Sequence, residues 1–531
     1  MHEISALSHN AISLACKELI EKINSGEVST QKQLELEKVT VARKYSLNRI
    51  IKNADITLYA ENYPQSTAIR KFLKTKPVRT LSGVANIAVM WLDNRKIDGK
   101  HFSCPYKCIY CPQGDYAPKS YIGVEPTTLR AIRNSYDPNL QVVNRLKQFH
   151  IIGHATDKCE LIVMGGTFLS WDRENCTNFI KRCFDAFNGC ESKSVEEAHR
   201  INETAANRCI GLTIETRGDY CSPQQIDYML SLGTTRVEIG VQSTDSNLLA
   251  LTKRGHDAAT NTQAFERLKN AGLKITAHWM PGLTGLYGSI NVDKEIAMFK
   301  ELFDNPAYRP DELKIYPTLV IPGTELHELW ETGKYEALSF EQTTHLLIEL
   351  KKLVPKYVRI KRMMRDISEH EAKAGARTTN LRQLLQERMK EKGIKCICIR
   401  CREVGQNKIK PEKIALQRFE YDASGGKEIF LSFEDQQNDV LIAFLRLRID
   451  DSDAAKIREL HVYGELAPIG ASGIWQHSGF GRQLMQEAES IAKELGKRKI
   501  QVTSGVGVRE YYKKLGYAFE NPYMCKKLVN S

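Results

Sequence analysis

Six short runs rich in β-branched and other apolar residues lie between residues 84 and 320, separated by longer stretches with helical character. Such alternation predicts parallel strands joined by crossover helices. A partial TIM-type barrel and an open doubly wound sheet both fit this order. The runs end at polar or glycine-rich points, which is where barrel active sites are built. The six runs cover residues 84–92, 160–166, 210–216, 236–242, 273–279 and 313–320.

The chain of 531 residues is too long for one hydrophobic core, so we expect several domains. Residues 1–80 follow a helical apolar period and carry 13 Lys/Arg against 8 Asp/Glu, which predicts a basic helical segment. The strand and helix alternation assigns residues 81–390 to the barrel. A linker with three cysteines follows at 391–410, and 411–531 reads as strands followed by an amphipathic helix.

Composition narrows the class of protein. The hydrophobic content of 42% and charged content of 26% are typical of a globular chain. We find no apolar run long enough for a membrane span and no signal-peptide core in the first ten residues, so we expect no membrane contact and a reducing cytoplasm. Two tight groups among the 14 cysteines then favour metal or catalytic work over disulfides. The net charge of +12 suggests a polyanionic partner.

The first cysteine group has the spacing Cys104-x3-Cys108-x2-Cys111, directly after the first strand. Three thiolates can hold three irons of a [4Fe-4S] cluster and leave the fourth iron open for a ligand. The amino and carboxylate groups of S-adenosylmethionine suit an open iron, and one electron from the cluster would release a deoxyadenosyl radical. The alternative, without an iron–sulfur cluster, is a zinc knuckle or three unrelated thiols.

This loop resembles the radical S-adenosylmethionine superfamily, which places an aromatic residue between the last two cysteines, as Tyr110 does here. The resemblance implies a barrel of βα units and assigns cofactor contacts at the strand ends. Gly165, Gly166 and Thr167 match the glycine motif for the cofactor's amino group. Glu215, Arg217 and Gln242 match polar contacts on the following strands.

The stretch 476–481, QHSGFG, opens the amphipathic helix of the last domain. Free backbone N–H groups at a helix N-terminus fit a pyrophosphate. With the strand before it and the YYKKLGY segment after it, this region resembles the GNAT acetyltransferases. The resemblance implies acetyl-CoA binding by Gln476, Gly479, Phe480, Gly481 and Arg482, and by the strand Glu459, Leu460, His461 and Val462.

Two tyrosines of the same domain are catalytic candidates. Tyr512 stands where GNAT enzymes often have a tyrosine near the sulfur, and a phenol there can protonate the departing thiolate. Tyr511 is the neighbouring candidate. The alternative is that neither tyrosine is catalytic and both are aromatic residues of the core.

The combination resembles the catalytic subunits of the Elongator complex over nearly the whole chain from about residue 70. Among the matching strings are ELIVMGGTF (160–168), TIETRGDYC (213–221) and SGVGVREYYKKLGY (504–517). The expected fold is therefore α/β: a partial TIM-type (β/α)6 radical S-adenosylmethionine barrel, a C-terminal GNAT domain and a basic helical N-terminal segment. Gly218 departs from the proline expected after Arg217.

The resemblance also implies the reaction. A tRNA-modifying enzyme would use acetyl-CoA and S-adenosylmethionine to install a carboxymethyl group at C5 of the wobble uridine, U34. The deoxyadenosyl radical would take hydrogen from the acetyl methyl, and the carbon radical would attack C5. Lys158 is expected to contact acetyl-CoA from the barrel side. Partner subunits or a homodimer are compatible with the sequence.

Basic stretches read as tRNA contacts in this interpretation. Residues 351–365 contain seven Lys/Arg and no acid, and 1–80 is basic as well. Lys and Arg neutralise phosphates and give salt-dependent affinity, and an anticodon loop offers unstacked bases. The alternative for either stretch is a solvated charged face.

The second cysteine group, Cys396, Cys398 and Cys401, suits a structural zinc that ties the linker down. A tetrahedral site needs one more ligand, and His461 is the candidate. The same histidine could be a packed core residue on its strand.

Two other functions fit parts of the sequence. A protein lysine acetyltransferase would use the GNAT domain alone and keep the cluster as a structural element. A non-catalytic tRNA-binding scaffold would use only the basic surfaces, and the intact Cys104, Cys108, Cys111 and Tyr512 argue against it.

Overall fold

A computed structural model describes residues 2–60, 69, 72–74, 77–92, 95–97, 100–102, 104–378, 380–405, 411–464, 475 and 478–528. Three helices open the chain: α1 (His2–Asn24), α2 (Gln31–Lys44) and α3 (Asn53–Ala60). They bury one apolar face each, with Leu19, Leu34 and Ile56 fully buried between them. Most of the described part of residues 1–80 is thus helical, as its apolar period predicts.

Seven parallel strands form the central sheet, and they follow one another in chain order. A doubly wound sheet reverses its strand order at a switch point, and this sheet has no reversal, so the winding is that of an open barrel. We call it the half-barrel. Its strands are β1 (Ala85–Met90), β4 (Lys158–Met164), β5 (Arg208–Thr216), β6 (Arg236–Gln242), β7 (Lys274–Trp279), β8 (Glu312–Ile315) and β9 (Arg359–Arg362).

The barrel class is confirmed, but the expected number of strands was wrong. Six apolar runs predict six strands, and the structure adds the seventh, β9, inside the basic stretch 351–365. Its sequence, RIKR, shows no apolar run, because its charged side chains lie on the inner face of the half-barrel. A two-stranded hairpin, β2 (Arg95–Ile97) with β3 (Lys100–Phe102), follows β1.

Helices cover the outer face of this sheet. Helix α8 (Pro223–Ser231) starts in a capping box: Ser222 Oγ accepts from the backbone N–H of Gln225, Gln225 Oε1 accepts from the backbone N–H of Ser222, and Pro223 is at the first position. In the described part of the chain, no helix combines the length and the apolar character of a membrane span. The helices are α4 (Pro126–Arg133), α5 (Pro138–Ile151), α6 (Arg173–Asn188), α7 (Val195–Asn202), α8 (Pro223–Ser231), α9 (Ser246–Leu251), α10 (Ala258–Asn270), α11 (Val292–Asp304), α12 (Glu325–Glu331), α13 (Phe340–Leu353), α14 (Leu381–Glu391) and α15 (Ile399–Arg402).

The two faces of the half-barrel differ in polarity. Outward side chains such as Leu161 and Ile214 are fully buried in one apolar core with the helices, where Phe184 is also fully buried. Inward positions include Glu160 and Glu238, which are charged. The sheet therefore keeps a polar interior instead of the branched apolar filling of a closed barrel.

The C-terminal unit is a second seven-stranded sheet, in the order β10-β11-β12-β13-β14-β16-β15. Only β13 and β14 pair in parallel; the other neighbours are antiparallel. Helix α16 (Phe480–Glu494) buries Leu484, Ala488 and Ile491 against it, as predicted, and the short helix α17 (Arg509–Lys513) follows. The strands are β10 (Ile414–Ala423), β11 (Gly426–Asp435), β12 (Val440–Ile449), β13 (Ala454–Val462), β14 (Lys499–Val502), β15 (Ala518–Glu520) and β16 (Tyr523–Lys527).

The two sheets meet at the amino ends of the barrel strands. Arg458 of β13 reaches Asp311, just before β8, with Nη2 2.6 Å from Oδ1, and also donates to the carbonyl of Leu273 at 3.0 Å. A Cβ on Gly505 would lie 2.0 Å from the carbonyl oxygen of Ile210, so only glycine permits this approach. The C-terminal unit is therefore docked on the bottom of the half-barrel, opposite the strand ends where barrel sites form.

Candidate active sites at the two ends of the half-barrel

The three cysteines of the loop after β1 line one cavity at the carboxyl ends of the barrel strands, which we call the cysteine cavity. Its volume is about 150 Å³. The structure brings five predicted cofactor contacts to the same wall: Gly166, Thr167, Glu215, Arg217 and Gln242. Gly165 lies just behind it, where a Cβ would be 2.8 Å from the carbonyl oxygen of Trp91.

Each thiol of the loop has a polar group beside it. Cys104 Sγ is 3.4 Å from Thr167 Oγ1, Cys111 Sγ is 3.0 Å from Ser120 Oγ, and Arg254 Nη1 is 3.7 Å from Cys108 Sγ. Burial opposes ionisation of Cys108, but the charge of Arg254 and its hydrogen bond outweigh burial and lower the pKa of this thiol. Burial raises the pKa of Cys111 to about 11.

Sequence reasoning missed Arg254, which lies 146 residues after Cys108. No local spacing connects the two, and only the closing of the half-barrel brings them together. The guanidinium is fixed by donating from Nη2 to the carbonyl of Gly240 at 2.7 Å. It therefore presents a positive charge to the cysteine loop from the turn between α9 and α10.

Arg217 is mainly a support for the cysteine loop. Its guanidinium carbon lies 3.6 Å from the ring centroid of Tyr106, inside the loop, and its Nε donates to Asp219 at 2.9 Å. Nη2 donates to the carbonyl of Arg254 at 2.6 Å, and Nη1 has no hydrogen-bond partner among the described residues. Gly218, expected as proline, packs its backbone on α10, where a Cβ would be 2.7 Å from Asn261 Oδ1.

Gln242 ends β6 with a φ of +69°, a conformation that non-glycine residues adopt at a cost of about 1–3 kcal/mol. Its buried Oε1 has no hydrogen-bond partner in the described part of the chain. Strain and an orphaned acceptor facing a cavity are typical of a position that receives a ligand. This observation supports the role predicted for Gln242.

An acidic group forms part of the wall of the cysteine cavity, where Glu215, Glu238 and His278 place their ligand atoms within 4.8 Å of one another. The ammonium of Lys314 bridges Glu215, at 3.3 Å, and Glu238. The positive charge that a metal would bring is therefore already supplied by Lys314.

A second cavity, of about 450 Å³, lies where β13 and β14 separate; we call it the splay cavity. Their parallel pairing runs from Ala454–Lys499 to Ile457–Val502 and ends there. Beyond that point, Arg458–Val462 line one side of the gap, including Glu459, Leu460, His461 and Val462. This divergence leaves one strand edge free to pair with an extended arm of a ligand.

The mouth of the splay cavity is the amino end of α16. Gly479 caps this helix with a φ of +90° and no side-chain hydrogen bond, so the first backbone N–H groups are left for a ligand. Gly479, Phe480, Gly481 and Arg482 line the cavity. Gln476 lies outside the described residues.

Tyr511 and Tyr512 both line the splay cavity. Their rings are edge to face, with centroids 5.2 Å apart. Tyr512 is 6% exposed and Tyr511 37%, and burial raises the pKa of each phenol. Tyr512 therefore stays protonated at neutral pH, as a proton donor to a thiolate must.

The other wall of the splay cavity belongs to the half-barrel. Lys158, Ile210, Thr235 and Lys274 come from the amino ends of β4 to β7. Lys158, predicted to contact acetyl-CoA, lines the cavity from the barrel side, and burial lowers its pKa. Lys274 was missed; burial lowers its pKa to about 8, and its ammonium pairs with Glu459 at 3.5 Å.

The linker thiols Cys396, Cys398 and Cys401 lie within 4.8 Å of one another, which suits four-coordinate zinc with Zn–S bonds of about 2.3 Å. No further His, Cys, Asp or Glu of the described chain joins that group. The structure does not bring His461 to it: the ring lies 4.2 Å from that of Tyr463, and Nε2 is 2.9 Å from the carbonyl oxygen of Ser82. Burial lowers the pKa of His461 to about 4, so it is neutral.

Comparison with known proteins follows the same division of the chain. The radical SAM superfamily model matches residues 101–288, the Radical_SAM C-terminal domain 310–391, and the acetyltransferase (GNAT) family 381–517. The ELP3 N-terminal domain matches residues 12–81. Fold and cavities thus define an enzyme that joins a radical SAM domain to a GNAT acetyltransferase domain.

Relatives that match the whole chain identify its family more specifically than the separate domain matches do. The chain is 46% identical to the tRNA uridine(34) acetyltransferase of Methanocaldococcus infernus, over 96% of this chain and 98% of that protein. It is 41% identical to Elongator complex protein 3 of Schizosaccharomyces pombe, over 97% and 98%. The solved structure of archaeal Methanocaldococcus infernus Elp3, lacking residues 1–46, matches with a TM-score of 0.74 and 45% identity, over 85% of this chain and all of that chain. The chain belongs to the Elongator complex protein 3 family, as the sequence predicts.

Proposed function

We propose that this enzyme modifies C5 of the wobble uridine of tRNA, drawing on acetyl-CoA and S-adenosylmethionine to form a carboxymethyl group. The observation that carries the proposal is the pair of cavities on one half-barrel, a thiol-lined one at its top and a GNAT-type one at its bottom. Relatives covering nearly the whole chain are named for uridine 34 of tRNA, which supports the substrate.

Cys104, Cys108 and Cys111 would hold a [4Fe-4S] cluster. Their sulfurs lie farther apart than those of the linker thiols, which are all within 4.8 Å of one another, and the wider spacing fits a group larger than one metal ion. With S-adenosylmethionine bound, this group supplies a deoxyadenosyl radical. The chain would orient the cofactor through Gly166, Thr167, Glu215 and Gln242, while Arg217 and Tyr106 fix the loop.

Acetyl-CoA would bind in the splay cavity. Its pyrophosphate fits the uncapped amino end of α16 at Gly479–Arg482, and its pantetheine arm fits the free edge of β13 at Glu459–Val462. The thioester would then lie beside Tyr512, which would protonate the thiolate. Lys158 and Lys274 close the cavity from the barrel side.

The position of the splay cavity argues against a protein lysine acceptor. Its inner end faces the amino ends of β4 to β7, where Lys158 and Thr235 stand. A protein amine would need a surface groove at this point, whereas the half-barrel covers it. The geometry favours an acetyl unit that is used inside the chain.

Cys396, Cys398 and Cys401 would hold a structural zinc between the two units. With His461 bonded to Ser82, the fourth ligand would come from elsewhere. The tRNA would lie on basic surfaces that include exposed members of the stretch 351–365 and of residues 1–80.

The test is an anaerobic reconstitution with iron and sulfide, followed by S-adenosylmethionine, dithionite, acetyl-CoA and tRNA. We expect 5′-deoxyadenosine and a carboxymethyl mass on one anticodon uridine. A transcript with cytidine at position 34 is the matched control and should stay unmodified. Acetylation of a peptide amine with no change in tRNA would contradict the proposal.

A further inference from the structure

A third cavity, of about 340 Å³, fills the interior of the half-barrel; we call it the lumen. It shares Ser82, Val84, Glu459 and His461 with the splay cavity. It shares Thr127, Met164, Glu238, Arg362 and Asp366 with the cysteine cavity. The three cavities are therefore neighbours along one path from the bottom of the half-barrel to its top.

The length of this path follows from β4. Lys158 at its first position lines the splay cavity, and Met164 at its last position lines the cysteine cavity. Six steps of about 3.3 Å separate them, so the path is roughly 20 Å long. A group bound at the splay is thus out of reach of a radical formed at the cysteines.

The lumen is polar where a barrel is normally packed with branched apolar side chains. Arg236 of β6 pairs with Glu160 of β4 and, through Nε at 2.9 Å, with Glu312 of β8. These ion pairs hold the charged side chains against the walls. In place of the apolar side chains that fill a closed barrel, the lumen has a charged lining along which a small polar group can move.

Lys361 of β9 stands in the middle of this lining. Its Nζ lies 3.4 Å from Glu312, 3.6 Å from Glu238 and 3.9 Å from Glu160, and it has no hydrogen-bond partner among the described residues. An ammonium that faces three carboxylates without a short bond to any is able to turn its protons to an oxygen in the lumen. The structure therefore provides a donor halfway along the path.

We propose that the lumen is a passage through which the two-carbon acetyl unit, delivered at the splay cavity, reaches the cysteine cavity, with Lys361 as a positioning donor to its carbonyl or carboxylate oxygen. This inference rests on the proposed function. The acetyl unit has an oxygen acceptor whether it travels as a thioester or as acetate. The ammonium of Lys361 can donate a hydrogen bond to the oxygen of either species.

The test narrows the lumen without touching either end. Asn86 and Ala88 of β1 face it, two positions apart, and Ala88 is opposite Ile162 of β4. Ala88→Phe and, separately, Asn86→Phe should each lower carboxymethyl formation on tRNA about 100-fold. Cleavage of S-adenosylmethionine and binding of acetyl-CoA should stay within twofold of the unaltered chain. Ala88→Ser keeps the width and is the matched control.

The outcomes separate the two proposals. Full product with both Phe variants, at intact thermal stability, would overturn the passage while leaving the proposed function in place. No product from the unaltered chain would overturn the proposed function itself. Because a Phe variant could fail to fold, Lys361→Met is a second, independent test. It should raise the acetyl-CoA concentration that gives half-maximal product formation. An unchanged concentration would count against Lys361 as the donor.

Labelled acetate distinguishes the travelling species. In the unaltered chain, ¹³C-acetate supplied without acetyl-CoA should label the uridine if the unit travels as the carboxylate, and leave it unlabelled if it travels as the thioester. ¹³C-acetyl-CoA is the second arm and should label the uridine in either case. The passage predicts that Ala88→Phe loses the label from ¹³C-acetyl-CoA, and also the label from ¹³C-acetate where the unaltered chain shows one. Label from ¹³C-acetyl-CoA that survives the substitution would contradict the passage.

Discussion

At the scale of single residues, Tyr512 is the group whose chemistry can be tested most cleanly. Its phenol is buried in the splay cavity, and burial raises its pKa, so it stays protonated through the neutral range. We predict that Tyr512→Phe lowers tRNA-dependent release of the CoA thiol about 100-fold, as expected for loss of a general acid, with little change in KM for acetyl-CoA.

The neighbouring tyrosine supplies the control for that measurement. Tyr511 lines the same cavity but is more exposed. Tyr511→Phe should keep most of the rate. Equal losses in the two variants would show that the phenol of Tyr512 has no special role.

The cysteine loop gives a second prediction at this scale. Cys108→Ala should lower bound iron and abolish cleavage of S-adenosylmethionine, because three thiolates are the least that hold a cluster with one open iron. Acetyl-CoA binding should be unchanged, since the splay cavity is at the other end of the half-barrel. Cys190, which is exposed, is the matched site: Cys190→Ala should keep both properties. Iron content and 5′-deoxyadenosine yield measure the difference.

A site residue could be predicted from the sequence only when it belongs to a local sequence pattern. Gly166, Glu215, Gln242 and the cysteines lie in strings with fixed spacing, and the structure gathers them at one cavity. Arg254 and Lys361 lie outside any such string, and their positions depend on strands far apart in the chain. Sequence patterns near one strand end could not show them.

At the scale of elements, the stretch 351–365 is only partly the basic surface that its sequence predicts. Its predicted role as one basic surface was wrong for part of its length: Lys351 is buried, Arg359 pairs with Glu403, and Lys361 lies in the lumen. Strand β9 turns alternate residues inward, as any strand does. Lys352 and Lys356, which precede the strand, lie outside the lumen lining.

We therefore predict that Lys352→Glu with Lys356→Glu weakens tRNA binding. Each lost phosphate contact should reduce the slope of log affinity against log salt by about 0.9. Filter binding over a range of salt concentrations measures this. Lys300→Glu, at an exposed position of α11, is a single charge-reversal control and should leave the slope unchanged. An unaltered slope in the double variant would remove these lysines from the tRNA surface.

Two strands, β9 and β10, have a physical reason for lacking an apolar run. β9 carries charges inside a polar lumen, and β10 is an edge strand with many exposed positions, so neither shows an apolar run. Strands whose outer faces pack under helices, such as β6, were predicted to the residue. Hydrophobic pattern finds strands that are buried in apolar surroundings and fails for those that line a polar interior.

At the scale of the whole molecule, a buried ion network joins the half-barrel to the GNAT unit. Asp311 accepts from Arg458 at 2.6 Å and 2.8 Å and lies 3.7 Å from Arg446. Burial opposes the charge on Asp311, but the two arginines outweigh it and hold the pKa of this carboxyl well below its usual range. Breaking a buried pair from one side costs about 3–5 kcal/mol.

We predict that Asp311→Ala lowers the free energy of unfolding by about that amount, measured by urea denaturation. Because the folded pKa is depressed, the stabilisation by Asp311 is fully present above its unfolded pKa of about 3.9 and is lost as the pH falls below that value. Asp304→Ala, an exposed position on α11, should cost less than about 1 kcal/mol. Equal costs at the two positions would show that the network does not stabilise the docking.

The central claim is that both ends of the half-barrel serve one reaction, and isotope transfer tests it most directly. The reconstituted enzyme would be given acetyl-CoA with a fully deuterated methyl group, together with S-adenosylmethionine and tRNA. We expect one deuterium in 5′-deoxyadenosine and two in the carboxymethyl group on the uridine. Deuterium-free 5′-deoxyadenosine, or a product that keeps all three deuterons, would contradict it.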